Sequence, residues 1–153
     1  MAKEKILSSF GSKPKEEMLE VKSRFKQLQI GIPKESSFQE NRVSLTPDSV
    51  GLLVANGHKV IIEKGAGDSS NFLDKEYTDK GAKIAYSKQE VFKANFILKI
   101  EPPTKSELEL MQRGQRLISA VQMSTQSTVF FKVLNKKNIT AFGFEFIKDK
   151  QDK

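Results

Sequence analysis

Short runs rich in β-branched and aliphatic residues alternate with helix-patterned segments from residue 28 to residue 144, and this alternation constrains the fold more than anything else in the chain. The expected strands are Leu28–Ile32, Lys59–Glu63, Lys83–Tyr86, Phe96–Ile100, Leu117–Val121 and Ile139–Phe144. Helices are expected between them over Pro47–Asn56, Asp74–Lys80, Lys88–Lys93, Thr104–Met111 and Thr125–Lys136. Val60-Ile61-Ile62 and Phe96-Ile97-Leu98 are apolar on both faces, which suits strands covered by helices on both sides. Thr46-Pro47 and Thr104 read as helix starts, and Gly57, Gly81 and Asn135 or Asn138 as stops.

Right-handed crossovers turn this order into an α/β fold: a doubly wound, mainly parallel six-stranded sheet in a flavodoxin-like or Rossmann-like three-layer arrangement. A chain of 153 residues, 37% hydrophobic, suffices for one such domain. Residues 1–14 form a polar lead-in. Met18, Val21 and Phe25 recur at helical steps over residues 15–26, so an amphipathic helix is expected to precede the sheet. The expected division is therefore 1–27 tail and helix, 28–147 α/β domain, and 148–153 charged C-terminal tail.

The net charge of +7 comes mostly from the two ends, since residues 27–131 carry 13 basic against 12 acidic groups. A nucleic-acid partner is not expected, because such binders carry their excess on the folded surface. The absence of cysteine excludes disulfides, thiolate metal sites and a cysteine nucleophile, and a lone histidine, His58, excludes a multi-histidine metal centre. No apolar run is long enough for a membrane span or a signal peptide, so a cytoplasmic location is expected.

Ligands of open parallel sheets bind beyond the carboxyl ends of the strands. The polar residues expected there are Lys34, Glu35 and the loop to Arg42, then Lys99 and Glu101, then Gln122, then Glu145. Arg42 stands out because a guanidinium can meet a carboxylate through two parallel hydrogen bonds; its alternative role is a loop-locking ion pair with Glu35 or Glu40. Gly65-Ala66-Gly67 follows a strand, but Ser70 occupies the third glycine position of a dinucleotide fingerprint and the next helix starts late, so a tight turn is expected instead. His58 opens a strand at the end opposite the rim, which suits a structural role. A response-regulator receiver is not expected, because the first and third strands end in Ile32-Pro33 and Tyr86-Ser87 rather than in acidic residues.

Gly31-Ile32-Pro33-Lys34-Glu35 and, four residues on, Glu40-Asn41-Arg42-Val43-Ser44-Leu45-Thr46-Pro47 closely resemble the opening of the alanine dehydrogenase and pyridine nucleotide transhydrogenase α-subunit family. The likeness runs on through Gly57-His58, Gly65-Ala66-Gly67, Tyr77, Gly81-Ala82, Lys99, Pro103, Gly114-Gln115 and Ile139-Thr140-Ala141. Lysine-forming saccharopine dehydrogenases share a weaker version of the opening. The resemblance implies the N-terminal, substrate-side domain of an NAD(P)-dependent oxidoreductase, facing a Rossmann domain across a hydride-transfer cleft. It implies a small amino or keto acid as substrate, NAD or NADP bound mainly by a domain absent here, no metal, and a homo-oligomer in the full-length form. It further implies that Arg42 clamps the substrate carboxylate, with Lys99, Glu101 and Gln122 on the same rim. Alanine dehydrogenases carry a second lysine where Glu101 stands and a histidine acid/base where Gln122 stands, and an amide exchanges no proton at neutral pH. Alanine dehydrogenase, transhydrogenase and a dehydrogenase for another amino or keto acid thus remain open, as does a free-standing non-catalytic α/β binding module. Either a longer reading frame continues into the Rossmann domain, or the chain is a relic of the first domain; alone it is not expected to catalyse.

Overall fold

The computed structural model describes residues 27–148. The amphipathic helix expected at residues 15–26 and the tail beyond Lys148 lie outside the described residues. The elements follow the alternation of the sequence: β1 (Gln29–Ile32), α1 (Pro47–Ala55), β2 (Lys59–Glu63), α2 (Asp74–Asp79), β3 (Lys83–Ala85), α3 (Lys88–Val91), β4 (Phe96–Leu98), α4 (Lys105–Leu110), β5 (Arg116–Ser119), α5 (Thr128–Lys136) and β6 (Thr140–Gly143). All strand pairings are parallel, in the order β3-β2-β1-β4-β5-β6. Strands are added outward from β1 to β3, and then the chain returns to the other side of β1 to begin β4. The loops leaving β1 and β4 therefore part in opposite directions, and a crevice opens at the carboxyl ends of the two strands.

Side-chain alternation along the buried strands feeds two cores. Ile30 and Ile32 of β1 and Val60 and Ile62 of β2 pack with Val50, Tyr77 and the partly buried Phe96 and Leu98 beneath α1 and α2. Ile97 of β4 and Leu117 of β5 point the other way, into Phe92, Leu108, Met111, Phe130 and Leu134 of the layer built from α3, α4 and α5. Each fully buried aliphatic or aromatic side chain contributes about 1.5–3 kcal/mol. Gly31 is the one β1 position that cannot carry a side chain, since a Cβ there would stand 2.5 Å from the Val91 carbonyl oxygen at the end of α3.

Local chemistry fixes the helix boundaries. Thr46 accepts from Ser49 N ahead of Pro47, Ser87 accepts from Glu90 N, and Thr104 with Glu107 forms a reciprocal capping box on α4. Helix α5 begins at Thr128 rather than at Thr125, because Ser127 Oγ caps Phe130 N while Thr125 donates both N–H and hydroxyl to the Gln122 carbonyl. Strand β4 ends at Leu98 rather than Ile100, whose N–H is given to the Glu35 carboxylate. No helix among the described residues is long and apolar enough to cross a membrane.

Candidate functional site

The loop from Pro33 to Thr46 is laid over the strand tips and tied down at three points. Ser44 Oγ donates to the Leu98 carbonyl at the end of β4, Ser70 Oγ donates to the Asn41 carbonyl, and the buried Tyr77 hydroxyl donates to the Leu45 carbonyl at 2.8 Å. Burial pushes the Tyr77 phenol up to about 12, with Glu76 and Asp74 adding to the effect, so it remains a donor. These anchors hold Arg42 on the rim. Its side chain is 74% exposed, whereas that of its partner Glu40 is only 7% exposed.

Glu40 grips Arg42 along one edge. Arg42 Nε donates to Glu40 Oε1 at 2.8 Å and Nη2 donates to Oε2 at 2.6 Å, and the Arg42 backbone N–H reaches the same Oε1 at 2.8 Å. The side-chain hydrogen bond raises Arg42 above its ordinary pKa, assisted by the charges of Glu40, Glu101 and Glu35, and it lowers Glu40 in turn. The rim is thus a place where an arginine and Glu101 lie within electrostatic reach. Among the described residues the half-buried Glu101 carboxylate makes no hydrogen bond or ion pair.

Lys99 points inward. Its Nζ stands 2.9 Å from Glu35 Oε2 and 3.3 Å from Glu107 Oε1, with all three side chains almost fully buried. The Glu35 oxygen lies off the hydrogen-bonding line, so that contact is coulombic in character. Lys88 Nζ adds a 2.7 Å contact to Glu107 Oε1, Ser36 Oγ donates to the same oxygen, and Thr104 N donates to Oε2. Burial alone would raise Glu107, but the Lys99 charge, the Lys88 hydrogen bond and the Thr104 and Ser36 donors bring it down to about 2. Lys99 therefore faces Glu35 and Glu107 beneath the rim rather than Glu101 upon it.

Gln122 leaves β5 with φ +49°, a left-handed conformation that costs a side-chain-bearing residue energy. Its N–H is held at 2.7 Å by Glu145 Oε1, which follows β6. The same device recurs along the rim: Glu35 Oε1 holds Ile100 N at 2.7 Å, and Glu63 Oε2 holds Lys34 N at 2.8 Å. The fold thus brings Arg42 into reach of Glu101 and Glu35, while no contact joins Gln122 to Arg42 among the described residues.

Glu107, Lys88 and Ser36 escaped the sequence reading. Thr104-x-x-Glu107 was a legible capping box, but nothing in the spacing reports that its carboxylate also closes an ion cluster with Lys99.

The Gly65-Ala66-Gly67 turn does not suit a dinucleotide phosphate. Gly65 N is bound by Asp74 Oδ1, Ala66 N by the Glu63 carbonyl, and the Asp68 carboxylate fills the space beside Gly65. The segment that follows is one 3-10 turn, Asp68–Ser70, not a helix whose N-terminus could face an anion. His58 accepts from Leu28 N at 3.4 Å at the far end of the sheet.

Among the described residues a wholly parallel sheet with a switch point between β1 and β4, and with Arg42 and Glu101 beside that point, makes a doubly wound α/β domain. The family model described as alanine dehydrogenase/PNT, N-terminal domain matches residues 31–153, and the chain belongs to that family. The alanine dehydrogenase of Methanococcus maripaludis is 43% identical over 119 residues, 77% of this chain and 32% of that protein. A solved L-alanine dehydrogenase superposes with a TM-score of 0.78 at 32% identity, covering 82% of this chain and 35% of the other. The transhydrogenase from Sinorhizobium meliloti gives 0.74 at 27% identity, over 80% of this chain and 35% of the other. The chain thus spans about a third of the length of these relatives and is related to the N-terminal domain of oxidoreductases.

Proposed function

We propose that this domain is the substrate half of an NAD(P)-dependent oxidoreductase of the alanine dehydrogenase or transhydrogenase type, binding a small amino or keto acid at the tips of β1, β4 and β5. Arg42 takes the acid's carboxylate, and Glu101 and Gln122 line the rim beside it. Lys99 serves from below, fixing the segment that carries Glu101 through Glu35 and Glu107. The nicotinamide cofactor supplies hydride chemistry and is held by another domain, in keeping with a glycine turn whose Gly65 and Ala66 amides are already bonded within the protein. The observation that carries this reading is the exposed Arg42 guanidinium at the switch point, held along one edge by Glu40 and with Glu101 within electrostatic reach.

The 153-residue chain is expected to bind pyruvate weakly and to show no NAD-dependent turnover with alanine or pyruvate; clear turnover overturns the claim that the cofactor half lies elsewhere. Arg42→Ala separates substrate binding from loop locking. Lost pyruvate binding in a variant that still folds supports the acid site, whereas unfolding supports a purely structural ion pair. A second reading, a non-catalytic interaction module, draws on the exposed Phe142, Phe146 and Ile147 at the β6 edge. It gains ground if pyruvate, alanine and other small acids all fail to bind.

A further inference from the structure

We infer that Glu40 is the positioning residue of the acid site: it holds the Arg42 guanidinium by one edge and leaves the opposite edge open to a substrate carboxylate. The inference rests on the reading of Arg42 given above and adds a second residue to it.

A guanidinium carries five N–H donors in one rigid plane, enough for two carboxylates on different edges. Glu40 takes the edge formed by Nε and Nη2, with donor distances of 2.8 and 2.6 Å. Both Nη1 hydrogens and one Nη2 hydrogen remain, and among the described residues no side chain accepts from them. That remaining edge has the spacing for end-on, two-point recognition of a carboxylate. Glu40 Oε1 also accepts the Arg42 backbone N–H at 2.8 Å, so a single carboxylate pins both the main chain and the side chain of the arginine.

Exposure separates the two partners. The Glu40 side chain is 7% exposed and that of Arg42 74%, as expected of a covered carboxylate presenting an open group rather than of two side chains neutralising each other on a loop. An unheld arginine would have to give up its rotamer freedom when it met an anion; here that ordering precedes binding. Glu101 and Glu35 act on the guanidinium only through space, so neither supplies an alternative clamp.

The rival role for Glu40 is competitor: an anion on Arg42 would then gain from its removal. The two roles predict opposite signs. The isotope-labelled 153-residue chain is titrated with pyruvate and followed by NMR, including the Arg42 Nε–H resonance. Glu40→Gln is expected to weaken pyruvate binding roughly three- to tenfold. Unchanged or tighter binding overturns the positioning role. A second measurement uses chemical rescue: millimolar guanidinium should restore pyruvate binding to Arg42→Ala, and should fail in the Arg42→Ala/Glu40→Gln double variant, where nothing holds the added ion. Equal rescue in both backgrounds also overturns it. Wild-type affinity in Arg42→Ala, or no saturable shift in the unsubstituted chain, would instead sink the acid site together with the role of Glu40. Loss in Arg42→Ala with retention in Glu40→Gln would sink the positioning role alone.

Discussion

The Lys99 ammonium lies 2.9 Å from the Glu35 carboxylate with both side chains buried, so the loop after β1 and the loop after β4 are joined by a charge pair below the rim. Glu35 reinforces the joint by accepting Ile100 N at 2.7 Å. Lys99→Met would leave Glu35 without its contact counter-charge, with only Arg42 acting through space, and Glu107 with Lys88 alone. A buried pair broken on one side costs about 3–5 kcal/mol. Urea unfolding of Lys99→Met should show a loss of that order, and Lys99→Met/Glu35→Gln should recover much of it, because the stranded charge is gone while an acceptor for Ile100 N remains. An unchanged midpoint in the single variant would contradict the ion cluster.

Acid stability should depend on Glu107. Its carboxyl is lowered from 4.5 to about 2 in the folded chain. A depressed carboxylate stabilises the fold fully above its unfolded pKa, and that contribution is lost as pH falls through the folded value. The window therefore runs from about pH 5 down to pH 2, and the contribution at neutral pH is on the order of 3 kcal/mol at most. Glu107→Gln keeps an acceptor for Thr104 N but has no charge to titrate. Thermal unfolding between pH 2 and 7 should show a flatter acid limb for this variant; parallel curves for variant and parent would exclude the assignment.

The six strands and five helices were legible because each carried its own period and punctuation, whereas the strand order that puts the switch point between β1 and β4 is visible only in the strand pairings. The rim was legible only as a set of residues leaving strand ends. What was hidden is direction: Lys99 and Glu101 are two residues apart, so the pleat alone cannot say which meets the ion cluster, and the deciding partner, Glu107, comes from a helix on another crossover. Arg42 was legible as a pairing arginine, with Glu35 and Glu40 as equal choices. The loop anchors at Ser44, Asn41 and Leu45 favour Glu40, and they depend on residues up to 54 positions away.

Gly31 explains why the opening motif needs a glycine inside a strand. A methyl group there would meet the Val91 carbonyl oxygen at 2.5 Å and the Ala94 side chain at 3.1 Å, and a backbone atom cannot swing aside. Gly31→Ala should force α3 away from β1 and cost about 1–3 kcal/mol. Equilibrium denaturation measures this directly. A stability equal to that of the parent would mean that α3 sits farther from the sheet than described.

Gln122 offers a test in which stability and binding should move in opposite directions. Its left-handed backbone, φ +49°, is held by the 2.7 Å bond from its N–H to Glu145 and by the turn that Thr125 closes on its carbonyl. Glycine adopts that conformation freely, so Gln122→Gly should raise stability by about 0.5–1 kcal/mol after the added freedom of the unfolded chain is counted. The same substitution removes the amide proposed to line the rim, and pyruvate binding should weaken. Strain retained at a strand tip is expected where a side chain is being aimed at a ligand. Glu145→Ala complements the test, since it frees the Gln122 N–H and should lower stability while leaving the amide in place. A Gln122→Gly chain that is more stable and binds pyruvate as well as the parent would remove Gln122 from the acid site and leave its backbone geometry a feature of the β5 turn alone.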